Sequence, residues 1–440
     1  MVDDLGWKDV EFQGSQYYET PNIDKLANEG MVFTNAYANA PNCAPTRASF
    51  LSGQYTPRHE IYTVGTAFRG KSKYRKVVPI ETKRRLDPGV VTIAELLQDG
   101  GYATASIGKW HLGDPPQFGP ESQGFDLNIG GDLHGFPPAG YFAPYELPNL
   151  EEAPEGEYLT DRLTEEAITF ITNNADTPFF LYLPYYSVHR PIQAKEQLVA
   201  KYQEKSGREG QNNSRYAAMI ESVDQGVGRI LAKLDQLGLT RNTLVVFTSD
   251  NGGIGGYRAN GIQAGELTSQ HPLKGGKGML YEGGIRVPLA VRWPERIPAD
   301  TISDEPVISL DWFATYLAVA GVNSPQNQAQ DGENLLPVLT QSGKLDRKAL
   351  FWHFPAYLQA NKGTWRTTPV SVIRHGSWKL MEFYEDGRLE LYNLEMDIGE
   401  EDNLAASRVE KREELHSQLK AWRAALDAPV PTKRNPDYKP

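Results

Sequence analysis

Asn42-Cys43-Ala44-Pro45-Thr46-Arg47-Ala48-Ser49-Phe50-Leu51-Ser52-Gly53 is the stretch on which the reading of this chain turns, and it holds the only cysteine. Pro45 fixes φ without needing a backbone donor. The spacing therefore predicts a helix with Pro45 in its first turn that runs through Ala48, Phe50 and Leu51 and stops at Gly53. Cys43 then stands just before a helix N-terminus, where free N–H groups and the helix dipole favour an anionic group. Arg47, about one turn further on, projects back toward the same end. A lone cysteine is most often a small buried hydrophobe. The rest of the chain has to decide between the two readings.

Working outward, a chain of 440 residues is long for one core, which favours a large domain plus a smaller one. Its 41 Gly and 30 Pro point to a loop-rich α/β protein. A net charge of −11 argues against nucleic acid as a partner, so a polyanionic substrate must be met by a local cationic pocket. One cysteine excludes a disulfide framework. No apolar run is long enough for a membrane span.

Met1-Val2-Asp3-Asp4-Leu5-Gly6-Trp7 reads as the end of a buried strand whose apolar beginning is missing. The expectation is a natural product that starts upstream, with an apolar strand and an export signal before it. Thr20–Ala27 reads as a capped scaffold helix. Residues 54–88 are polar and basic, with Arg58, His59, Arg69, Lys71, Lys73, Arg75, Lys76 and Arg84; a solvated insertion is the favoured reading and a basic rim facing an anionic substrate the sharper one. Thr92-Ile93-Ala94-Glu95 is a capping box.

Four apolar runs follow, and the first three end in polar residues. Tyr102–Ile107 leads into Gly108-Lys109-Trp110-His111; if that segment stays extended, Lys109 and His111 share one side. Phe179–Leu183 runs out to His189, and Thr243–Thr248 to Asp250-Asn251, which alone would read as a turn. Leu289–Trp293 follows a Gly-dense block holding Lys274 and Lys277 that lacks the spacing of a nucleotide P-loop. Helices are expected over Arg162–Ile171, Ser214–Leu237 and Asp311–Ala320. From about residue 346 the pattern changes to strands over Pro369–Arg374, Trp378–Tyr384 and Arg388–Tyr392, closed by a helix over Val409–Leu426. We therefore divide the chain into an α/β domain over 1–345, a large mostly parallel sheet sandwiched by helices, and a small α+β domain over 346–440 with an antiparallel sheet plus helix.

Ligands bind at the carboxyl ends of strands in such sheets, which gathers Asp3-Asp4, Lys109/His111, His189 and Asp250-Asn251 along one edge. Three carboxylates and an amide oxygen form a hard donor set suited to Ca²⁺ or Mg²⁺. Arg47, Lys109 and Lys277 supply positive charge, and His111 and His189 supply proton transfer.

Cys43-x-Pro45-x-Arg47 with Ala48–Gly53, the Asp3-Asp4 block, Thr20-Pro21-Asn22, Gly108–Gly113, His189, Asp250-Asn251 and Gly276-Lys277-Gly278 resemble, in family order, the type I sulfatases of the alkaline-phosphatase superfamily. The resemblance implies that Cys43 is oxidised by a maturase to formylglycine, whose hydrated gem-diol attacks sulfur. It implies Asp3, Asp4, Asp250, Asn251 and the modified Cys43 as Ca²⁺ ligands, with Mg²⁺ as the alternative. Arg47 would hold the formylglycine, and Lys109 and Lys277 would neutralise sulfate oxygens. His189 with Lys277 would assist the departing alcohol, and His111 would take the proton that lets sulfate leave. The implied substrate is a sulfated small molecule or glycan, and the implied location periplasmic or secreted. A phosphomonoester or phosphonate hydrolase and a non-catalytic sulfoglycan-binding protein are the rival readings. Trp352, His353, Trp365 and Arg374 are candidates to touch a sugar, with core packing the stronger expectation for the two tryptophans.

Overall fold

The computed structural model describes residues 1–150, 153–258, 261–262, 265–361 and 363–439. Mostly apolar runs give the strands of two neighbouring sheets, fully buried in Leu289–Arg292 and exposed only at the edge strand Thr301–Ser303. One has the order Val245–Thr248, Leu289–Arg292, Met31–Phe33, Thr301–Ser303. Leu289–Arg292 runs antiparallel to both its neighbours, and Thr301–Ser303 parallel to Met31–Phe33. The other holds Leu127–Ile129, Ala103–Ile107 and Phe179–Tyr182, all parallel.

The first residues join the two sheets. Val2 N donates to Thr248 O (2.8 Å) and Asp250 N to Val2 O (3.2 Å) on one side. On the other, Met1 N donates to Leu183 O (3.0 Å) and Tyr185 N to Met1 O (3.0 Å). Beside Met1, between Phe179–Leu183 and Val245–Phe247, lies a largely apolar cavity of about 590 Å³, walled by Leu26, Val227 and Leu231 on one side and Leu97 and Tyr316 on the other.

Helices cover both faces. Pro21–Asn28, Leu159–Asn173 and Ser214–Gln236 bury one core layer; Cys43–Ser52, Ile93–Asp99 and Asp311–Ala320 bury the other. Ser214–Gln236 begins where the Asn213 side chain accepts from Tyr216 N (3.1 Å), and its Tyr216, Met219, Val223, Val227, Leu231 and Leu234 form the apolar stripe. Thr92 and Glu95 complete the expected capping box. Thr20 stands at an N-cap position but makes no side-chain cap bond; its hydroxyl bonds Asp24 and Glu11 N instead.

A third, antiparallel sheet runs Ala349–Phe354, Val370–His375, Trp378–Phe383, Leu389–Asn393. Helix Val409–Ala425 lays Leu415 and Leu419 on Ile373, Leu380 and Leu391. Its first strand, and the hairpin Leu358–Asn361/Thr364–Thr367, went unread in the sequence. Among the described residues no helix is long and apolar enough to cross a membrane.

Candidate active site

Helix Cys43–Ser52 starts at Cys43 itself, one residue earlier than expected, with Asn42 at the N-cap and Gly53 closing it at φ 68°. All ten of its residues are buried, which fixes the N-terminal end against the strand exits. Asp3 is aimed by its backbone: Asp3 N donates to Ser187 O (2.9 Å) and Val188 N to Asp3 O (2.8 Å). Asp4 sits at φ 62°, a left-handed conformation that a non-glycine residue adopts at a cost and that clusters at functional sites. Asp4 N donates to Asp250 Oδ1 (3.2 Å) and Tyr216 OH to Asp4 O (3.2 Å). The same Tyr216 hydroxyl bonds Asp9, which also accepts from Gly6 N and Thr268, so a buried network absent from the sequence reading holds the Asp3-Asp4 loop.

Donor atoms of Asp3, Asp4, Cys43 and Asp250 all lie within 4.8 Å of one another. Cys43 Sγ is 3.3 Å from Asp3 Oδ1, 3.9 Å from Asp4 Oδ1 and 3.5 Å from Lys277 Nζ. Arg47 grips Asp250 Oδ2 through Nε (2.9 Å) and Nη2 (2.7 Å) and donates from Nη1 to Lys109 O (2.6 Å). Lys109 Nζ reaches Asp3 Oδ2 (2.5 Å), and Lys277 Nζ reaches both Asp4 oxygens (2.6 and 2.7 Å). Lys274 is elsewhere: its Nζ donates to Glu400 O (3.0 Å) and lies over Tyr281.

His189 Nδ1 carries a proton to Arg190 O (2.7 Å), so Nε2 faces Asp4 Oδ2 at 3.7 Å. Phe136 stacks on this ring (6.5 Å, 10°) while remaining half-exposed. The segment around His111 is not extended, contrary to the sequence expectation. His111 lies at φ 64° because its backbone N bonds Asp132 O (2.8 Å), and the Gly135 backbone closes over the imidazole.

Burial is the first cause acting on Asp3, Asp4, Cys43, His111 and His189. It pushes Asp3 up to about 7 despite Lys109. It works against the Asp4 carboxylate too, but Lys277, His189 and Lys109 hold that group below the usual carboxylate range. Burial, then Asp3, raises the Cys43 thiol, so at neutral pH it is protonated and a poor nucleophile as it stands. Burial and then Lys277 bring His189 down to about 3, and burial with Lys109 lowers His111. Both imidazoles are neutral near pH 7.

A hard cation fits this donor set. Asn251 donates from Nδ2 to Asp4 Oδ1 (2.9 Å), while its buried carbonyl oxygen Oδ1 has no hydrogen-bond partner among the described residues. A buried amide oxygen left unpartnered among carboxylates is the chemistry a Ca²⁺ or Mg²⁺ ion satisfies. Of the sugar-contact candidates, Trp352 is buried with Nε1 on Ala38 O (2.8 Å), and His353 is buried between Ser371 and Pro429 O. Arg374 is buried against Tyr37, and Trp365 packs on Tyr357 (4.7 Å). Trp352, His353 and Arg374 are therefore core residues.

A family model described as "Sulfatase" matches residues 1–322, and one described as "N-sulphoglucosamine sulphohydrolase, C-terminal" matches residues 275–425. A "Sulfatase" of Formosa agariphila is 33% identical over 98% of this chain and 89% of its own length. Human N-acetylgalactosamine-6-sulfatase is 34% identical over 82% of this chain and 69% of its own. The crystal structure of Ps i-CgsB in complex with k-i-k-neocarrahexaose superposes with a TM-score of 0.79 at 31% identity, covering 99% of this chain and 93% of that one.

Proposed function

The chain belongs to the sulfatase family of sulfuric ester hydrolases, and from that premise we propose that it cleaves a sulfate ester on a sulfated carbohydrate. The nucleophile would be a formylglycine made from Cys43 by a maturase, and Asp3, Asp4, Asp250 and Asn251 would hold Ca²⁺ or Mg²⁺. The observation that carries the reading is the meeting of Cys43 with three carboxylates and two lysines in one buried cluster. The glycan part is supported by relatives named for N-acetylgalactosamine 6-sulfate and bound to a neocarrahexaose.

A formylglycine at position 43, as its hydrate, supplies a hydroxyl nucleophile that the protonated thiol cannot. The cation, when bound, stabilises negative charge on the reacting oxygens. The remaining work falls to this chain's own side chains. Arg47 fixes Asp250 through two bonds and braces the Lys109 carbonyl, so the carboxylate and the lysine are set by one guanidinium. Lys109, fully buried, and Lys277, nearly so, place fixed ammonium charge beside residue 43, where sulfate oxygens gather charge. His189, partly open to solvent beside Asp4, would with Lys277 assist the departing alcohol. His111, kept neutral by burial, is the base that accepts a proton from the group at position 43.

The test is sulfate release from defined sulfated mono- and oligosaccharides by protein co-expressed with a maturase, against aryl sulfate and aryl phosphate esters. Release of sulfate from at least one sugar supports the reading. Faster turnover of the aryl phosphate with no sulfate released overturns it.

A further inference from the structure

In a chain of net charge −11 most interior cations have found an acid: Arg47 has Asp250, Arg347 has Asp311, Lys379 has Glu282. Two half-buried arginines near the Cys43 pocket have not, though the Nε of each is buried. Arg366 makes no ion pair among the described residues; its guanidinium lies 4.5 Å from the centre of the Tyr257 ring, and its buried Nε has no acceptor. Tyr257 OH in turn donates to Lys277 O (3.1 Å). A Cβ built on Gly278, the residue after Lys277, would stand 3.4 Å from Arg366 Cδ. Arg366 is thereby tied to the backbone that carries Lys277.

Arg69 approaches from the basic stretch. Its Nη2 donates to Val64 O (2.9 Å), and its buried Nε is likewise without an acceptor. The loop that carries it is pinned: Arg75 Nη1 donates to the carbonyls of Phe68, Arg69 and Gly70 (2.8, 3.0 and 2.9 Å). Phe68 also bridges to Tyr357, at the foot of the hairpin that carries Arg366. Arg69 follows Phe68, which bridges Tyr357, and Arg366 precedes Thr367, which pairs with Leu358, so both arginines leave the chain at the same foot of the hairpin. Burial first and the Arg366 charge second lower the Arg69 pKa, while Cys43 raises it. Arg69 also lines a cavity of about 420 Å³ whose one carboxylate, Glu81, forms no ion pair with it among the described residues. Two guanidinium groups held near each other without a counter-charge are repulsive unless an anion sits between them.

We propose that Arg69 and Arg366 form a second anion subsite beside the Cys43 pocket, which takes a further sulfate or a carboxylate of the same glycan while one ester is cleaved. This rests on the sulfatase reading and narrows its substrate class to polyanionic glycans. Planar guanidinium groups suit either oxyanion, because both accept paired N–H donors.

The subsite is read by binding, separately from turnover. Protein made without a maturase keeps Cys43 as a thiol and is titrated calorimetrically with disulfated disaccharides, the monosulfated disaccharides obtained from each, and monosulfated disaccharides bearing a uronate. The expected result is that the best disulfated or uronate-bearing ligand binds about tenfold tighter than its singly charged counterpart, equivalent to about 1.4 kcal/mol. Which of the two ligands wins identifies the second group. In R69Q/R366Q that ratio falls to about one, and in R69K/R366K most of it survives. If the glutamine pair does not fold, the wild-type ratio still decides, because it must shrink as salt rises from about 0.05 to 0.3 M. A ratio near one in the wild type, or one that survives both the glutamine pair and salt, overturns the subsite. Failure of the formylglycine-bearing protein to release sulfate while the binding ratio holds overturns the sulfatase reading and leaves the subsite standing.

Discussion

Two clusters of charge are buried in this molecule, and they are put together differently. The first holds Asp3, Asp4, Asp250, Arg47 and Lys109, all sealed from solvent, with Lys277 and His189 at its open side. The second lies between the catalytic sheets and the C-terminal sheet: Lys379 Nζ is 2.9 Å from Glu282 and 2.8 Å from Glu400, and Arg286 adds 3.4 Å to Glu282. In the second, Glu282 also accepts from Tyr37 OH (2.6 Å), and Glu400 accepts from Glu282 N (2.6 Å). Left-handed residues occur in both, Asp4 and His111 in the first and Glu400 in the second, but the first carries an unpartnered Asn251 oxygen and an unpartnered His111 Nδ1, whereas Glu400 Oε1 lies 2.8 Å from Lys379 Nζ. Unmet bonding capacity beside a solvent opening marks a site built for a ligand; closed pairing with no opening marks a joint.

If that contrast is right, exchanging one lysine of each region gives opposite results. Lys277→Met should lower the rate of sulfate release by about 10²–10³-fold, as loss of one transition-state donor does. Lys274→Met, which removes a contact to the Glu400 carbonyl, should leave the rate within about twofold. A comparable loss in both would erase the distinction.

Glu282→Gln attacks the joint instead. It strips Lys379 and Arg286 of a buried counter-charge, so a loss of about 3–5 kcal/mol in urea unfolding is expected, with turnover per folded molecule preserved. Stability unchanged within about 1 kcal/mol would mean the cluster does not knit the sheets together.

Chelation separates the clusters in another way, since only the first has the donors for a cation. Removing a cation present at about 100 times its dissociation constant should cost about 2.7 kcal/mol and lower the melting temperature. An equal response in the Asp4→Asn/Asp250→Asn variant would place the ion elsewhere.

The smallest change per step of condition, one pH unit at a time, is set by a buried group in neither cluster. Burial brings His353 down to about 3 from an ordinary 6.5, so the unfolded chain binds an extra proton below pH 6.5 and stability falls as pH drops from there toward 3. His353→Gln should remove about 1.4 kcal/mol per pH unit from the slope over that window. An unchanged slope would mean that His353 is not held neutral.

How much of this was legible in the sequence follows from the range of each interaction. Cys43, Pro45 and the closing Gly53 belong to one helix, and strand-then-polar runs announce their own ends, so these elements could be read locally, whereas Lys277 was separated from Lys274 only by the resemblance of Gly276-Lys277-Gly278 to the sulfatase block. The conformation of His111 could not, because it is set by Asp132 and Gly135, from a different loop. Nor could the joint, whose Glu282 and Lys379 are 97 positions apart, one opening a short helix and the other on a strand of the C-terminal sheet, with nothing local to pair them. The strand Ala349–Phe354 was missed because its register is supplied by Val370–His375 and not by a turn next to it.

The measurement that bears most directly on the account follows residue 43 and sulfate release together. Protein made with graded amounts of maturase is digested, the fraction of the Cys43 peptide lighter by about 18 Da is found by mass spectrometry, and turnover of a sulfated sugar is measured on the same samples. Turnover should rise in proportion to that fraction and vanish where it is zero. Full turnover in protein whose Cys43 is entirely unmodified would contradict it.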